Sequence, residues 1–360
     1  MKNYKLAALT LSLIACNSAF AKGIEVSLST PEHSITSTQD LALDVTFTNT
    51  DDQPLELLKW YIPTQDTKES LFKIRKDGYK PQYFGAHAKR LAPQDSDYLE
   101  LQPNESVTYT VELTGMYDLS TTGSYDIQYA VNFQNAVRGD QSLSLRNPNT
   151  EKTISKLASN TVNVWVEGRG KSFDQMQSRA LDELSMTQGI SYSGSCSNSE
   201  KNTITSAFNA AKSITNNSVN YLNNQSANRY KARYSTWFGN YNSSRWNTVR
   251  SNFSSIKNAL DTKPVVFDCS CNDNYYAYVY PTQPYKVYLC NAFWSAPTFG
   301  TDSKSGVIVH EVSHFNNVAG TDDYVYGQSD AKWLADNYPS YAIGNADTYE
   351  YFAENTPYLN

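Results

Sequence analysis

The sequence predicts two units of different class: an all-β, immunoglobulin-like sandwich over residues 22–167 and an α+β domain over residues 195–360, joined by a polar linker, 168–194. Three observations carry this division. Strict apolar–polar alternation recurs in short runs up to Val166, as in strands with one buried face. Beyond Cys196 the apolar residues instead fall three and four apart, the period of a helix with a buried stripe. The cysteines after Cys16, at 196, 269, 271 and 290, all lie in the second unit. A chain of 360 residues has the length of two ordinary domains.

The first 21 residues read as an export signal. Lys2 and Lys5 precede a largely apolar run, Leu6–Ala15, and Ala19-Phe20-Ala21 is a small-x-small cleavage site. Leu13-Ile14-Ala15-Cys16 offers an alternative, a lipobox that would lipidate Cys16. No later segment approaches the roughly 20 apolar residues of a membrane span, so a secreted, extracellular protein without stable membrane insertion is expected. A net charge of −6 speaks against a nucleic-acid partner, which needs a basic face.

Strands are expected at Ile24–Leu28, Leu41–Phe47, Val107–Leu113, Tyr125–Val131 and Val162–Val166, with turns at 49–52, Pro103-Asn104 and Thr122-Gly123. His33 and His87 stand alone in this half and read as ordinary surface histidines. Gly168-Arg169-Gly170-Lys171 opens the linker. In the second unit, Ile204, Ala207, Phe208, Ala211 and Ile214 mark one helix, and Trp246, Val249, Phe253, Ile256 and Leu260 another. Val265–Phe267, Tyr276–Tyr280 and Lys286–Leu289 follow as strands. Four cysteines in an exported chain favour two disulfides among Cys196, Cys269, Cys271 and Cys290. A four-thiolate zinc site fits poorly, because two Cys-x-x-Cys knuckles are missing. Three pairings are open.

The chemistry concentrates in Gly306-Val-Ile-Val-His-Glu-Val-Ser-His-Phe-Asn316. On a helix, His310 and His314 lie one turn apart and project from one face, where both imidazoles can share a Zn²⁺ at ~2.0–2.1 Å. Glu311, beside the first histidine, can act as general base without joining the coordination. The third ligand is not fixed by this motif. The extended metzincin pattern needs Gly at 317 and His at 320, and the sequence has Asn317 and Gly320. Glu350 or Glu354 on a following helix is one source of a carboxylate. The Gly320–Gly327 segment, with Asp322 and Asp323, is a nearer one.

His310-Glu311-Val312-Ser313-His314 followed by Gly320-Thr321-x-Asp323-x-x-Tyr326-Gly327 resembles the signature of the aspzincin metalloendopeptidases, the deuterolysins and peptidyl-Lys metalloendopeptidases. The resemblance covers roughly residues 190–360, and more loosely residues 22–167 resemble the propeptides of exported bacterial members. It implies a zincin-like catalytic domain with one Zn²⁺ held by His310, His314 and Asp323, Asp322 being the rival on chemistry alone. It also implies Glu311 as general base, Tyr326 as oxyanion donor, and the pairings Cys196 with Cys269 and Cys271 with Cys290. Proteins or peptides are the implied substrates.

Asn345-Ala-Asp-Thr-Tyr-Glu350 opens like a helix with Asn345 as N-cap, so Asp347 and Glu350 share a face. Residues 311–360 hold eight acids and one base, Lys332, a balance that draws cationic substrates. An ordinary solvated acidic face is the alternative. A similar segment in peptidyl-Lys members binds the lysine after the scissile bond, which implies cleavage on the N-terminal side of lysine. A deuterolysin-like protease without that preference is the rival, and a surface lipoprotein with a structural zinc is another. The sandwich lacks cysteine, so a thiolate on the zinc cannot make the precursor latent. The propeptide is expected to inhibit by placing a lysine, Lys152, Lys156 or Lys171, in the acidic pocket. Self-processing is expected near Lys171 or near Gly189.

Overall fold

The computed structural model describes residues 23–133, 136–138, 155–170, 172, 175 and 189–360. The expected signal segment, Cys16, Lys152, Lys171 and most of the linker lie outside the described residues, as does the side chain of Lys156.

The N-terminal half is β-rich. Its strands are β1 (Ile24–Ser29), β2 (Ser34–Ile35), β3 (Ala42–Asn49), β4 (Leu55–Leu58), β5 (Phe72–Arg75), β6 (His87–Lys89), β7 (Tyr98–Leu101), β8 (Ser106–Glu112), β9 (Gly123–Phe133), β10 (Val137–Arg138) and β11 (Ser155–Val166). They form sheets ordered β1-β3-β8, β10-β4-β7 and β2-β11-β9-β5. Alternation works as the sequence implies: Leu43, Val45 and Phe47 of β3 are fully buried while their neighbours are only partly so. These residues share one core with Leu55, Ile127, Tyr129 and Val164.

The second half has its own core, built on α1 (Asn198–Asn223), α2 (Gln225–Asn228), α3 (Ala232–Phe238) and α4 (Ser243–Thr262). The stripe residues Trp246, Val249, Phe253 and Ile256 are all fully buried. After α4 come β13 (Pro264–Asp268), β14 (Ala277–Val279), β15 (Lys286–Leu289), α5 (Asn291–Ser295), α6 (Lys304–His314), α7 (Gln328–Asn337), α8 (Pro339–Ala342) and α9 (Ala346–Glu354). Disulfides join Cys196 to Cys269 and Cys271 to Cys290, with Cα separations of 5.2 and 4.8 Å, inside the range that needs no backbone distortion.

Two strands of the five-stranded sheet in the second half come from outside residues 195–360. Its order is β12-β13-β15-β14-β6, where β12 (Gly189–Ser193) pairs in parallel with β13. Residues 189–193 were expected in the linker, yet their backbone is used as an edge strand. At the other edge, β6 leaves the β-rich half and pairs antiparallel with β14, placing His87 opposite Val279, Ala88 opposite Tyr278 and Lys89 opposite Ala277. An exposed strand edge offers unpaired backbone groups to any extended segment. Here the chain itself fills that edge.

Candidate active site

Helix α6 is a buried rod: all eleven residues from Lys304 to His314 are buried. Ser303 caps it, its Oγ accepting from Gly306 N at 3.0 Å. Gly306 is required for close approach, because a Cβ there would sit 2.1 Å from Glu354 Oε1 and 3.0 Å from Glu350 Cγ on α9. That contact sets α9 against the face of α6 that carries His310.

The helix ends at His314, and the chain turns back through Gly320, whose φ of +57° favours a residue without Cβ. Two contacts fix the return: Ser313 Oγ lies 2.6 Å from Thr321 Oγ1, and Thr321 N donates to Ser313 O at 3.2 Å. Asp323 then enters between the two histidines. Its Oδ1 lies 3.2 Å from His310 Nε2 and its Oδ2 3.3 Å from His314 Nε2. Among the described residues these four fully buried atoms have no hydrogen-bond partner. Donors ~2.0–2.1 Å from a tetrahedral ion stand roughly 3.4 Å apart, so the donor set and its spacing fit a zinc ion. Asp322, the rival, is engaged elsewhere, its Oδ1 lying 3.8 Å from His87 Nε2. Its Oδ2 accepts from Tyr324 OH at 2.9 Å, and it is far more exposed than Asp323.

Each histidine is oriented from behind. His314 Nδ1 lies 2.7 Å from the carbonyl of Thr321, and His310 Nδ1 lies 2.9 Å from Asp347 Oδ1 and 3.2 Å from Glu350 Oε2. Such outer partners fix the tautomer and ring angle of a metal-binding imidazole. Glu311 is fully buried, and burial pushes its carboxyl up to about 7, the range of a general base at neutral pH. Asn345 occupies the N-cap position of α9, but its side chain does not cap that helix. Its Oδ1 instead accepts from Tyr324 N and Val325 N at 2.8 and 3.0 Å, tethering the loop that carries Asp323 and Tyr326.

Asp347 and Glu350 are no solvated face, since both are fully buried. The cation between them is Lys89 of β6, not one of the three lysines the sequence offered. Its Nζ lies 2.7 Å from Asp347 Oδ1, 3.1 Å from Glu350 Oε2 and 3.4 Å from Asp302 Oδ1, near the ring of Tyr351. Burial works against the Lys89 ammonium, but Asp347 and Glu350 outweigh it and hold the group well above its ordinary pKa.

His87 also differs from its expectation as a lone surface histidine. It is 4% exposed and stacks on His314 with ring centroids 5.0 Å apart. Burial, with His314 beside it, lowers its pKa to about 4. The strand register imposes this placement, and a run as short as His-Ala-Lys carries no alternation by which to foresee it. Two further residues of the β-rich half enter the site unannounced by any sequence signal. Glu69 Oε1 accepts from Tyr326 OH at 2.8 Å and lies 3.4 Å from Arg90 Nε. Arg90 in turn stacks between Trp60 and Tyr275.

The peptide bond between Ala88 and Lys89 is flanked by two of the groups singled out in the sequence. Tyr326 OH, whose one proton is shared between Glu69 Oε1 and Ala88 O, lies 2.9 Å from that carbonyl oxygen, and Lys89 N donates to Glu311 Oε1 at 3.3 Å. One strand of this chain therefore spans the cleft, with its lysine in the acidic pocket and its preceding carbonyl beside the tyrosine.

The chain is similar to several known proteins over most of its length. The family model described as lysine-specific metallo-endopeptidase, of the aspzincin type, matches residues 221–354. The chain is 43% identical to an extracellular protease of Aeromonas hydrophila over 98% of both chains. It is 36% identical to a peptidyl-Lys metalloendopeptidase of Armillaria mellea, over 98% of this chain and 97% of that one. A solved zinc peptidase from Grifola frondosa is 46% identical over 46% of this chain and 100% of that chain, with a TM-score of 0.44. On these full-length relationships the chain belongs to the aspzincin family and is a zinc metalloendopeptidase that acts on proteins or peptides.

Proposed function

We propose that the protein is a secreted endopeptidase that cuts on the N-terminal side of lysine and is made as a zymogen that processes itself. The observation that carries this reading is Lys89, buried between Asp347 and Glu350 with its own peptide nitrogen at Glu311 and the preceding carbonyl at Tyr326. A substrate lysine bound the same way, after the scissile bond, would put that bond between the general base and the oxyanion donor.

In this reading His310, His314 and Asp323 hold one Zn²⁺, which when bound supplies Lewis acidity toward water and a carbonyl oxygen. The residues do the rest. Glu311 takes a proton from the attacking water and returns it to the leaving nitrogen. Tyr326 donates to the carbonyl oxygen as negative charge grows there, a preorganised contact of the kind worth ~2.7–4 kcal/mol. Asp347 and Glu350 neutralise the incoming ammonium inside a buried pocket and set the register of the bond.

Residues 22–167, in this reading an immunoglobulin-like prodomain, keep the enzyme latent. β6 covers the β14 edge on which a substrate strand would pair, Lys89 fills the pocket, and Glu69 competes for the Tyr326 hydroxyl. Digestion of a denatured protein with the matured enzyme tests the specificity. New N-termini should begin overwhelmingly with lysine, and Asp347→Asn with Glu350→Gln should abolish that bias. A wild-type digest without excess N-terminal lysine rules the specificity out. For latency, the full chain carrying Lys89→Met should cut a lysine peptide before any processing, whereas unchanged silence removes β6 as the inhibitor.

A further inference from the structure

We infer that the Ala88–Lys89 bond is itself a substrate of the enzyme, cut in the same molecule, and that this cut lets the two strand ends leave the cleft. The inference rests on the lysine-directed reading above and goes beyond it, since a blocking strand need not be a cleavable one.

Four features of this one bond match what hydrolysis requires. Its carbonyl oxygen lies 2.9 Å from Tyr326 OH. Its N–H points at Glu311 Oε1, 3.3 Å away, the oxygen that must later return a proton to that nitrogen. The strand runs antiparallel to β14 with Lys89 N-terminally preceded by Ala88 in the register opposite Tyr278, and Tyr276 N donates to Lys89 O at 3.0 Å. Both sides of the bond are thus pinned to the sheet edge. Finally, Glu311 Oε2 has no hydrogen-bond partner among the described residues, leaving one carboxylate oxygen to orient a water. A cavity of about 240 Å³, lined by Glu69, His87, Asp322 and Asp323 among others, borders Asp323 on the His87 side.

The step balances with water alone. Water adds to the Ala88 carbonyl carbon and gives a proton to Glu311. The bond from that carbon to the Lys89 nitrogen breaks, and Glu311 passes the proton to the nitrogen. Ala88 becomes a C-terminal carboxylate and Lys89 a new N-terminal amine. Reacting groups held this close behave as a unimolecular system, so the rate should not depend on protein concentration. The strand flanks delay separation of the products: Arg90 remains between Trp60 and Tyr275 and beside Glu69. Occlusion therefore outlasts the chemistry until the ends peel from β14.

The test uses the full chain prepared free of zinc, then given zinc at several protein concentrations, with terminal-amine labelling and mass spectrometry. Expected is a fragment beginning at Lys89 that forms at one first-order rate across at least a tenfold dilution and is absent from Glu311→Gln. Before zinc is added, Lys89 should also resist acylation by an amine reagent more strongly than the exposed lysines, a readout that needs no catalysis. Recovery of an intact 87–90 segment from chains that have become active overturns the proposal. So does a Lys89 terminus whose rate rises in proportion to concentration. If the bond stays whole while Lys89→Met still lifts latency, only self-cleavage fails. If Lys89→Met leaves the chain latent, the occlusion reading fails with it.

Discussion

Two buried polar clusters lie side by side in this site, and they are satisfied in opposite ways. In the acidic pocket, Asp347 and Glu350 meet a cation that the chain supplies, the Lys89 ammonium at 2.7 and 3.1 Å. One contact away, His310 Nε2, His314 Nε2 and both oxygens of Asp323 converge at 3.2–3.3 Å with no hydrogen-bond partner among the described residues. Buried charge is tolerated only when paired. The first cluster is thus charge-paired as folded, although both Glu350 oxygens lack a hydrogen bond, whereas the second offers donors of a kind and spacing that fit a metal ion. The lesson is that an absent partner can be read from which buried atoms are left facing one another. Glu311 stands between the clusters, with one oxygen on the Lys89 amide and the other free.

The comparison breaks hardest at Glu311. Glu311→Gln should leave the metal set intact and lower kcat by about 10²–10⁴, the usual worth of a positioned acid–base group. Zinc stoichiometry by atomic absorption should stay unchanged while peptide hydrolysis collapses. A variant that retains full turnover shows that the base is elsewhere.

Next comes the pocket's own cation. Lys89→Met in the full chain leaves Asp347 and Glu350 buried without it, and removing one partner of a buried pair costs about 3–5 kcal/mol. Denaturant unfolding of the full chain should register that loss.

Asp347 belongs to both clusters, and it sharpens the contrast. Its Oδ1 faces His310 Nδ1 as well as Lys89 Nζ, and Gly327 N donates to its Oδ2 at 2.6 Å. Loss of a carboxylate behind a ligating histidine typically costs 10–100-fold in metal affinity. Asp347→Asn should therefore weaken zinc binding by that factor, measured by competition with a chelating dye, in addition to erasing the proposed lysine preference. Glu350 Oε2 lies 3.2 Å from the same His310 nitrogen, so Glu350→Gln should also weaken zinc binding, but by less. Unchanged zinc affinity in Asp347→Asn would place Asp347 in the pocket alone.

Legibility in the sequence followed sequence distance. The two histidines and the base are set by helix pitch, Asp323 by a return loop nine residues on, and Asp347 with Glu350 by a three-residue spacing. Each of these spans a few turns of chain, and the structure brings all of them together. Lys89 meets Asp347 across 258 positions and Glu69 meets Tyr326 across 257. Strand pairing at a sheet edge is backbone-driven and nearly blind to side-chain type, so nothing in His87-Ala88-Lys89 marked it from Lys152 or Lys171. Asn345 is the intermediate case. Its place at the start of α9 was legible, but its Oδ1 accepts from the loop rather than capping the helix, while its Nδ2 donates to Thr348 Oγ1 of α9 at 3.1 Å.

Asp268 supplies the control, a buried carboxylate outside both clusters that is satisfied by neither a metal ion nor the β-rich half. Its Oδ1 accepts from Ser270 N and Oγ at 2.9 and 2.5 Å, its Oδ2 accepts from Ser193 Oγ at 2.8 Å, and Lys286 Nζ lies 3.1 Å away. Burial raises its pKa, but these donors outweigh it and hold the group down to about 2. The unfolded chain has an aspartate near 3.9, so it binds the proton more readily than the fold does. The stabilisation is accordingly complete above pH ~4 and lost as pH falls toward 2. Lys286 is partly exposed, and solvent screening trims the gain to about 1 kcal/mol. Asp268→Asn should lower stability by that amount at neutral pH, with the gap to wild type closing between pH ~4 and 2 in thermal melts of the matured domain. Because Ser193 sits on β12 and Asp268 on β13, the loss should loosen that edge of the sheet and leave zinc affinity and lysine preference untouched. A shift in either would mean that the far edge communicates with the cluster, and the separation of self-satisfied from ion-satisfied charge would no longer hold.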